Sequence, residues 1–520
     1  METWFTIIIS LSLIFLLRVL LSLLQKSSTT KINKPFPPGP THIPIISPLI
    51  WLTKSVSQIE PIVKNLHAKY GPIVTLRIGS NPTVFINDRF IVHQVLIQNG
   101  SVYADRPKNL HIEDFISSNQ HNITSSSYGT TWRVLRRNLS AEMLHPSRVK
   151  YFAQIRKWVL DVLLKRLKSD MKSSDSVKAM DHFQHAMFSL LVFMCFGQRV
   201  DDEKLNDIEQ GERNLLLSLE KFNVLNYWPK ITKVLFRKRW EDLLKLRSNQ
   251  EMVLVPLIRA RKEAKKSGLC YDNNNPRAYV DTLLDLKLPN EGQRNLDEGE
   301  MVTLCSEFLS AGTDTTSTSL QWIMANLVKH PHVQQRIVDE IREVMAVSDK
   351  EEKEEVHEED LEKLPYLKAV VLETLRRHPP THFLLPHAVS EDVVLNGYLV
   401  PKKGSVNFMV AEIGRDPKVW EDPMAFKPER FLNEDGSGVD QGFDITGSKE
   451  IKMMPFGAGR RICPAYNLGM LHLEYYVANL VWNFDWKVSN GGDVDLSEKE
   501  EFTFVMKNPL EAHISPRIHG

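Results

Sequence analysis

Cysteine is scarce in this chain. Only four occur in 520 residues, Cys195, Cys270, Cys305 and Cys463, and they are widely scattered. That spacing does not fit a disulfide framework, and the lack of any C-x-x-C pair argues against a structural zinc site. Cys195, Cys270 and Cys305 read as reduced thiols of a cytosol-facing protein. An excess of one charge is also missing: 65 Lys and Arg stand against 64 Asp and Glu, a net +1. No overall field therefore points to nucleic acid or to a strongly acidic partner. There is no internal repeat, and no Gly-rich dinucleotide or flavin fingerprint that would make the chain self-sufficient in electrons.

The most continuous apolar run lies at the start of the chain. Trp4 to Leu24 is almost wholly apolar, with Arg18 its one charge. As a helix it spans roughly 31 Å, about one hydrocarbon thickness. It has no A-x-A-like exit, and Lys26, Lys31 and Lys34 follow it. These features predict a single-pass anchor over residues 1–25 with the body facing the cytosol. Residues 26–42, basic and proline-rich (Pro35-Phe-Pro-Pro-Gly-Pro40), form a stiff hinge, and residues 43–520 form one large domain.

Within that domain helical patterning dominates, over 150–170, 204–221, 297–329, 331–346 and 359–377. Ile73–Gly79 and Thr83–Ile86 read as a hairpin, and Val393–Met409 as a second strand region. Residues 268–276 and the charge run 349–360 read as solvated loops. The expected fold class is mainly α with a small β portion.

Four patterns carry chemistry. The first is Pro455-Phe-Gly-Ala-Gly-Arg-Arg-Ile-Cys-Pro464, ahead of a long apolar stretch. Gly457 and Gly459 permit a tight loop, and Pro464 suits a first helical turn. A sulfur before a helix N-terminus is favoured as a thiolate. The second is Ala311-Gly-Thr-Asp-Thr-Thr316 inside a helical run. Glycine, hydroxyls and an acid there predict a local opening of the helix, with Asp314 and Thr315 able to relay protons. The third is Glu373-Thr-Leu-Arg376, both charges on one helical face. Alone, such a pair is usually surface decoration. The fourth is Trp132-Arg-Val-Leu-Arg136, which places an indole and a guanidinium on one face.

Together these resemble the cytochrome P-450 superfamily. Its ligand loop F-x-x-G-x-R-x-C-x-G is matched by Phe456, Gly459, Arg461 and Cys463, with Ala465 in place of the last glycine. Its oxygen-helix motif is matched by 311–316. Its E-x-x-R with a later Arg is matched by Glu373, Arg376 and Arg430, the last in Pro428-Glu-Arg-Phe431. The anchored form and Glu373-Thr-Leu-Arg-Arg-His-Pro-Pro380 look like plant microsomal members. Leu471-His-Leu-Glu-Tyr475 and Met506-Lys-Asn-Pro-Leu510 look like the plant family numbered eighty-nine.

The resemblance implies haem b with Cys463 as axial thiolate, in a single haem domain behind a transmembrane helix. It implies propionate contacts from Trp132, Arg136, Arg461 and His387, though a structural histidine is an equal reading of the last. It implies one oxygen atom of O2 inserted into an apolar small molecule, a plant specialised metabolite. Electrons would come from NADPH through a cytochrome P-450 reductase at the endoplasmic reticulum membrane. Arg133 and Arg137 would suit an acidic reductase surface, or simply solvent. Phe115, Phe308, Phe383, Leu384, Phe502 and Phe504 are the implied substrate contacts. Two rival readings stand beside this one. A reductase-independent isomerase or dehydratase generally lacks the acid–alcohol pair that Asp314 and Thr315 supply. A non-catalytic haem-binding protein is the other.

Overall fold

The computed structural model describes residues 10, 34–40, 51, 54–78, 81–108, 110–226, 229–268, 277–347, 355–436, 438–440 and 442–518. The predicted anchor, most of the hinge and Cys270 lie outside the described residues. Among those described, no helix is long and apolar enough to cross a membrane.

Helices carry the architecture. They are α1 (Val56–Tyr70), α2 (Thr130–Glu142), α3 (Ala153–Ser173), α4 (Ala179–Phe196), α5 (Asp202–Ser218), α6 (Arg237–Lys266), α7 (Glu298–Lys329), α8 (Pro331–Val347), α9 (Pro365–Arg377) and α10 (Tyr466–Asn483). The longest, α7, runs through the core. Asp297 caps it by accepting the Glu300 N–H at 2.8 Å, and Glu300 returns the bond to the Asp297 N–H at 2.8 Å, a reciprocal box that satisfies two orphan donors. Around α7 pack α4, α6, α9 and α10. Their apolar faces form one core cluster that includes Phe183, Trp322, Leu367 and Tyr476. The α4 helix is apolar on nearly every side, as a helix enclosed by others must be.

The β portion sits mainly to one side. Strands β1 (Ile73–Ile78) and β2 (Asn81–Ile86) form the predicted hairpin, with Val74 opposite Phe85. The sheet continues from β2 to Ser405–Phe408, which pairs with it in parallel, and then to His387–Ala388. Val393–Leu395 and Tyr398–Val400 form a separate small hairpin. Near the C-terminus Glu498–Glu500 pairs with Phe504–Met506, and Phe484–Val488 with Glu511–Pro516. The helical run expected over 359–377 divides into a 3-10 turn, Glu358–Lys363, and α9. Pro365 explains the break: proline disfavours helical angles at the residue before it, and Leu364 has φ −115° and ψ 64°.

Candidate active site

The cysteine loop closes on itself through backbone bonds. The Gly457 N–H donates to Met454 O at 3.0 Å, Ile462 to Gly459 O at 3.1 Å and Cys463 to Phe456 O at 2.8 Å. Gly459 is required twice over: its φ is +70°, and a Cβ there would sit 2.1 Å from the Leu96 carbonyl oxygen. The ring of Phe456 lies against Gly469 of α10, where an added Cβ would be 3.5 Å from it. Helix α10 begins only at Tyr466, with Ala465 at its cap. Pro464 therefore precedes the helix instead of opening its first turn. Burial pushes the Cys463 thiol up, and the Ala465 amide and Arg136 offset only part of that.

Beside this loop three guanidiniums converge. Arg461 donates to the carbonyls of Ala104 (2.7 Å), Ile123 (3.3 Å) and Ser126 (2.6 Å). Arg136 donates to Ile462 O at 2.5 Å. Arg106, which sequence reasoning missed, donates to Thr124 O, Leu385 O and Pro386 O. Among the described residues none of the three forms an ion pair with a carboxylate. Burial and then the Arg106 charge push Arg461 down to about 9, and burial pushes Arg106 down to about 10. Arg461 lies 4.5 Å over the ring of Trp132, whose buried Nε1–H has no acceptor among the described residues. His387 donates from Nδ1 to Tyr103 O at 2.7 Å. Burial, reinforced by Arg106, pushes it down to about 3. The ring is therefore neutral, and its Nε2 offers a lone pair, not a proton, to an incoming carboxylate.

On the other side of the site stands α7. It is continuous through Gly312, so the predicted opening is not there. Instead Thr315 Oγ1 donates to Ala311 O at 2.6 Å, and Ser317 and Ser319 bond back to Thr313 O and Thr315 O at 2.8 Å each. The hydroxyls add to the helix ladder without breaking it. Asp314 is paired with Arg213 of α5, at 3.3 Å. Burial raises its pKa and Arg213 counters. Within this mostly buried helix Ala311 is exposed, which marks open space along the face that carries Thr315. Glu307, four residues earlier, accepts the N–H groups of Ile123 and Thr124 at 2.9 and 2.6 Å and so fixes the segment that holds Arg461.

Glu373 and Arg376 are fully buried and joined through two bonds, 2.7 and 2.9 Å. Arg376 also donates to Gly414 O and Pro423 O, and Arg430 Nε reaches Glu373 at 3.3 Å. This is a clamp in the core, not surface decoration.

The six implied substrate contacts do not share one surroundings. Phe308 turns away, packing on buried Tyr279 with centroids 5.0 Å apart. Phe115 packs on Trp240 of α6, and Phe383 edge-on against Phe85. Leu384 approaches the cysteine loop at Gly457. Phe502 is 44% exposed, while Phe504 is buried.

A sulfur on a glycine loop, half-buried arginines without carboxylate ion pairs among the described residues, and an acid and an alcohol side by side on α7 are the set an oxygen-activating haem-thiolate enzyme needs. The cytochrome P-450 family model matches residues 37–514, and the chain belongs to that family. It is 51% identical to cytochrome P-450 89A9 of Arabidopsis thaliana over 92% of this chain and 94% of that one; this supports a plant member of family 89. It is 32% identical to 5-epiaristolochene 1,3-dihydroxylase of Nicotiana tabacum over 98% of each. A zebrafish cytochrome P-450 structure with progesterone superposes with TM-score 0.72 and 24% identity, covering 88% of this chain and 99% of that one. The enzyme is thus an oxidoreductase of the monooxygenase class, with haem held by a cysteine thiolate. The residues present fit that group: among the described residues the arginines lack anions, and the Trp132 N–H lacks an acceptor.

Proposed function

We propose that the protein is a monooxygenase of small apolar molecules, plant specialised metabolites, with Cys463 as the haem ligand. The observation that carries this is the half-buried trio Arg106, Arg136 and Arg461 around Trp132, beside the Cys463 loop. Three half-buried guanidiniums that make their side-chain bonds to carbonyls suit added anions, and two propionates supply them.

When bound, haem supplies the activation of O2 and the transfer of one oxygen atom. The chain's residues do the rest. Cys463 holds the iron through sulfur. Arg136 and Arg461 hold the propionates, with Trp132 donating its N–H. Asp314 holds a proton at its carboxyl and passes it toward the Thr315 hydroxyl. The Glu373–Arg376–Arg430 clamp keeps the core behind the loop rigid. Exposed Arg133 and Arg137 on α2 suit an acidic electron donor, a reductase fed by NADPH. The apolar run at 4–24 anchors the chain in the endoplasmic reticulum membrane, with residues 43–520 as one cytosol-facing domain. The acid–alcohol pair is intact, which disfavours an isomerase or dehydratase.

The test is the carbon monoxide difference spectrum of the reduced protein, with Cys463→Ala alongside. A red-shifted Soret band in wild type, lost in the variant, is expected. Folded protein that binds no haem would sink the reading.

A further inference from the structure

Behind the segment 378–385 two histidines lie flat on two aromatic rings. His378 stacks on Trp322 of α7 at 4.0 Å and 5°. His382 stacks on Phe504 at 3.5 Å and 3°. Between them stands Glu498. It accepts from His378 Nδ1 at 3.0 Å and from Arg415 at 2.7 Å, and its Oε2 lies 3.3 Å from His382 Nε2. The other nitrogen of His382 is 2.7 Å from Glu60 of α1. His382 is thus placed between two carboxylates and is only 4% exposed.

The two rings carry different charges. Burial pushes His378 down to about 4, so it is neutral. Burial also lowers His382, but Glu498 and Glu60 outweigh it and leave its pKa raised. Of the two rings, His382 is the one its carboxylate neighbours favour as a cation. The charged groups facing it are Glu60, Glu498 and, through Glu498, Arg415; Arg377 faces His378. With His382 charged, two carboxylates meet two cations. Without that proton, two carboxylates face one guanidinium.

What His382 joins is the point. Phe504 donates its N–H to Pro380 O at 2.9 Å and accepts at its carbonyl from Trp322 Nε1 at 2.9 Å. Thr503 is bonded to Thr318 of α7 at 2.9 Å, one turn beyond Asp314. The segment bearing Phe383 and Leu384 and the turn bearing Phe502 and Phe504 are therefore fastened to each other at His382.

We propose that His382 is a positioning residue for substrate: as a cation shared by Glu60 and Glu498 and laid on Phe504, it fixes the spacing of the 379–385 segment and the 502–504 turn. This rests on the monooxygenase reading above and on Phe383, Leu384, Phe502 and Phe504, which lie in those segments, as its implied substrate contacts. An imidazolium on an aromatic face adds cation–π attraction that the neutral ring lacks. The clasp is complete on the acid side of the ordinary imidazole range and is lost as pH rises through the raised value.

The test uses the full haem-loaded chain and two iron-binding probes read by optical spectra. One is a bulky aryl-triazole, whose size reaches the wall and whose ring does not titrate near neutrality. The other is imidazole, too small to touch the wall. Between about pH 6 and about pH 9, wild type should lose about tenfold in triazole affinity. His382→Gln should bind weakly and without that pH dependence. His382→Arg, planar and always charged, should bind tightly throughout. Glu60→Gln should move the transition to lower pH. Imidazole should bind all variants alike at any one pH. A pH-independent wild type, or wild-type pH dependence in His382→Gln, would overturn the proposal. Failure of imidazole to shift any spectrum would instead overturn the haem site itself.

Discussion

Arg213 of α5 stands 3.3 Å from Asp314 of α7, so the acid of the oxygen-helix motif is held by a helix it shares no sequence with. Its second nitrogen lies 3.9 Å from Glu501. Burial already raises the Asp314 pKa, and Arg213 is the main force opposing it. Arg213→Ala should raise that pKa further. The protonated form would then persist to higher pH, and the alkaline limb of a turnover–pH profile should move up. An unmoved limb would show that Asp314 is not the titrating group.

Gly459→Ala addresses the cysteine loop. A methyl 2.1 Å from Leu96 O, at φ +70°, forces the loop off its path. The expected result is protein that folds yet carries little haem, read as the ratio of Soret to protein absorbance. Full haem content would show that the loop tolerates displacement.

Arg376→Ala leaves the Glu373 carboxylate, 0% exposed, without its main partner. Removing one member of a buried pair typically costs about 3–5 kcal/mol. Chemical unfolding should show a loss of that order, or no soluble protein. Glu373→Gln with Arg376 intact provides the comparison.

Glu212 of α5 is a buried acid outside the recognised motifs. One oxygen accepts from Ser306, at 2.5 Å, and from Gln250, at 3.2 Å; the other has no partner. Burial pushes it up to about 7 from 4.5. An acid raised in the folded state retains a proton that the unfolded chain has lost. Its contribution is full below about 4.5 and is lost as pH rises through about 7. Glu212→Gln should flatten stability over that window, measured by denaturant unfolding at several pH values. An equal slope in both proteins would contradict this.

The cysteine loop was legible because it is written in contiguous residues, whereas the Glu373–Arg376 pair, decoration by spacing alone, was legible as a core clamp only through the family resemblance. Arg106, Arg213, His382 and Glu498 were not. Each acts on a partner far along the chain, as Arg106 does on Leu385 and Arg213 on Asp314, and no local pattern records such meetings. The packing of Phe308 on Tyr279 was not legible for a related reason: helical spacing tells which residues share a face but not what that face meets. Pro365 shows the opposite case, a single residue sufficient to end an expected helix. The open helix at Gly312 failed because the hydroxyls of Thr315, Ser317 and Ser319 reinforce the backbone they were expected to disturb.

The Glu373 clamp also orders events in time. Its donors are Arg376, the Lys427 N–H and Arg430, all earlier in the chain than Cys463. A chain emerging from the ribosome owns the whole clamp before the sulfur has been made. Chain order thus lets the clamp form before the loop that carries the sulfur is complete, so the residues behind that loop need not wait for it.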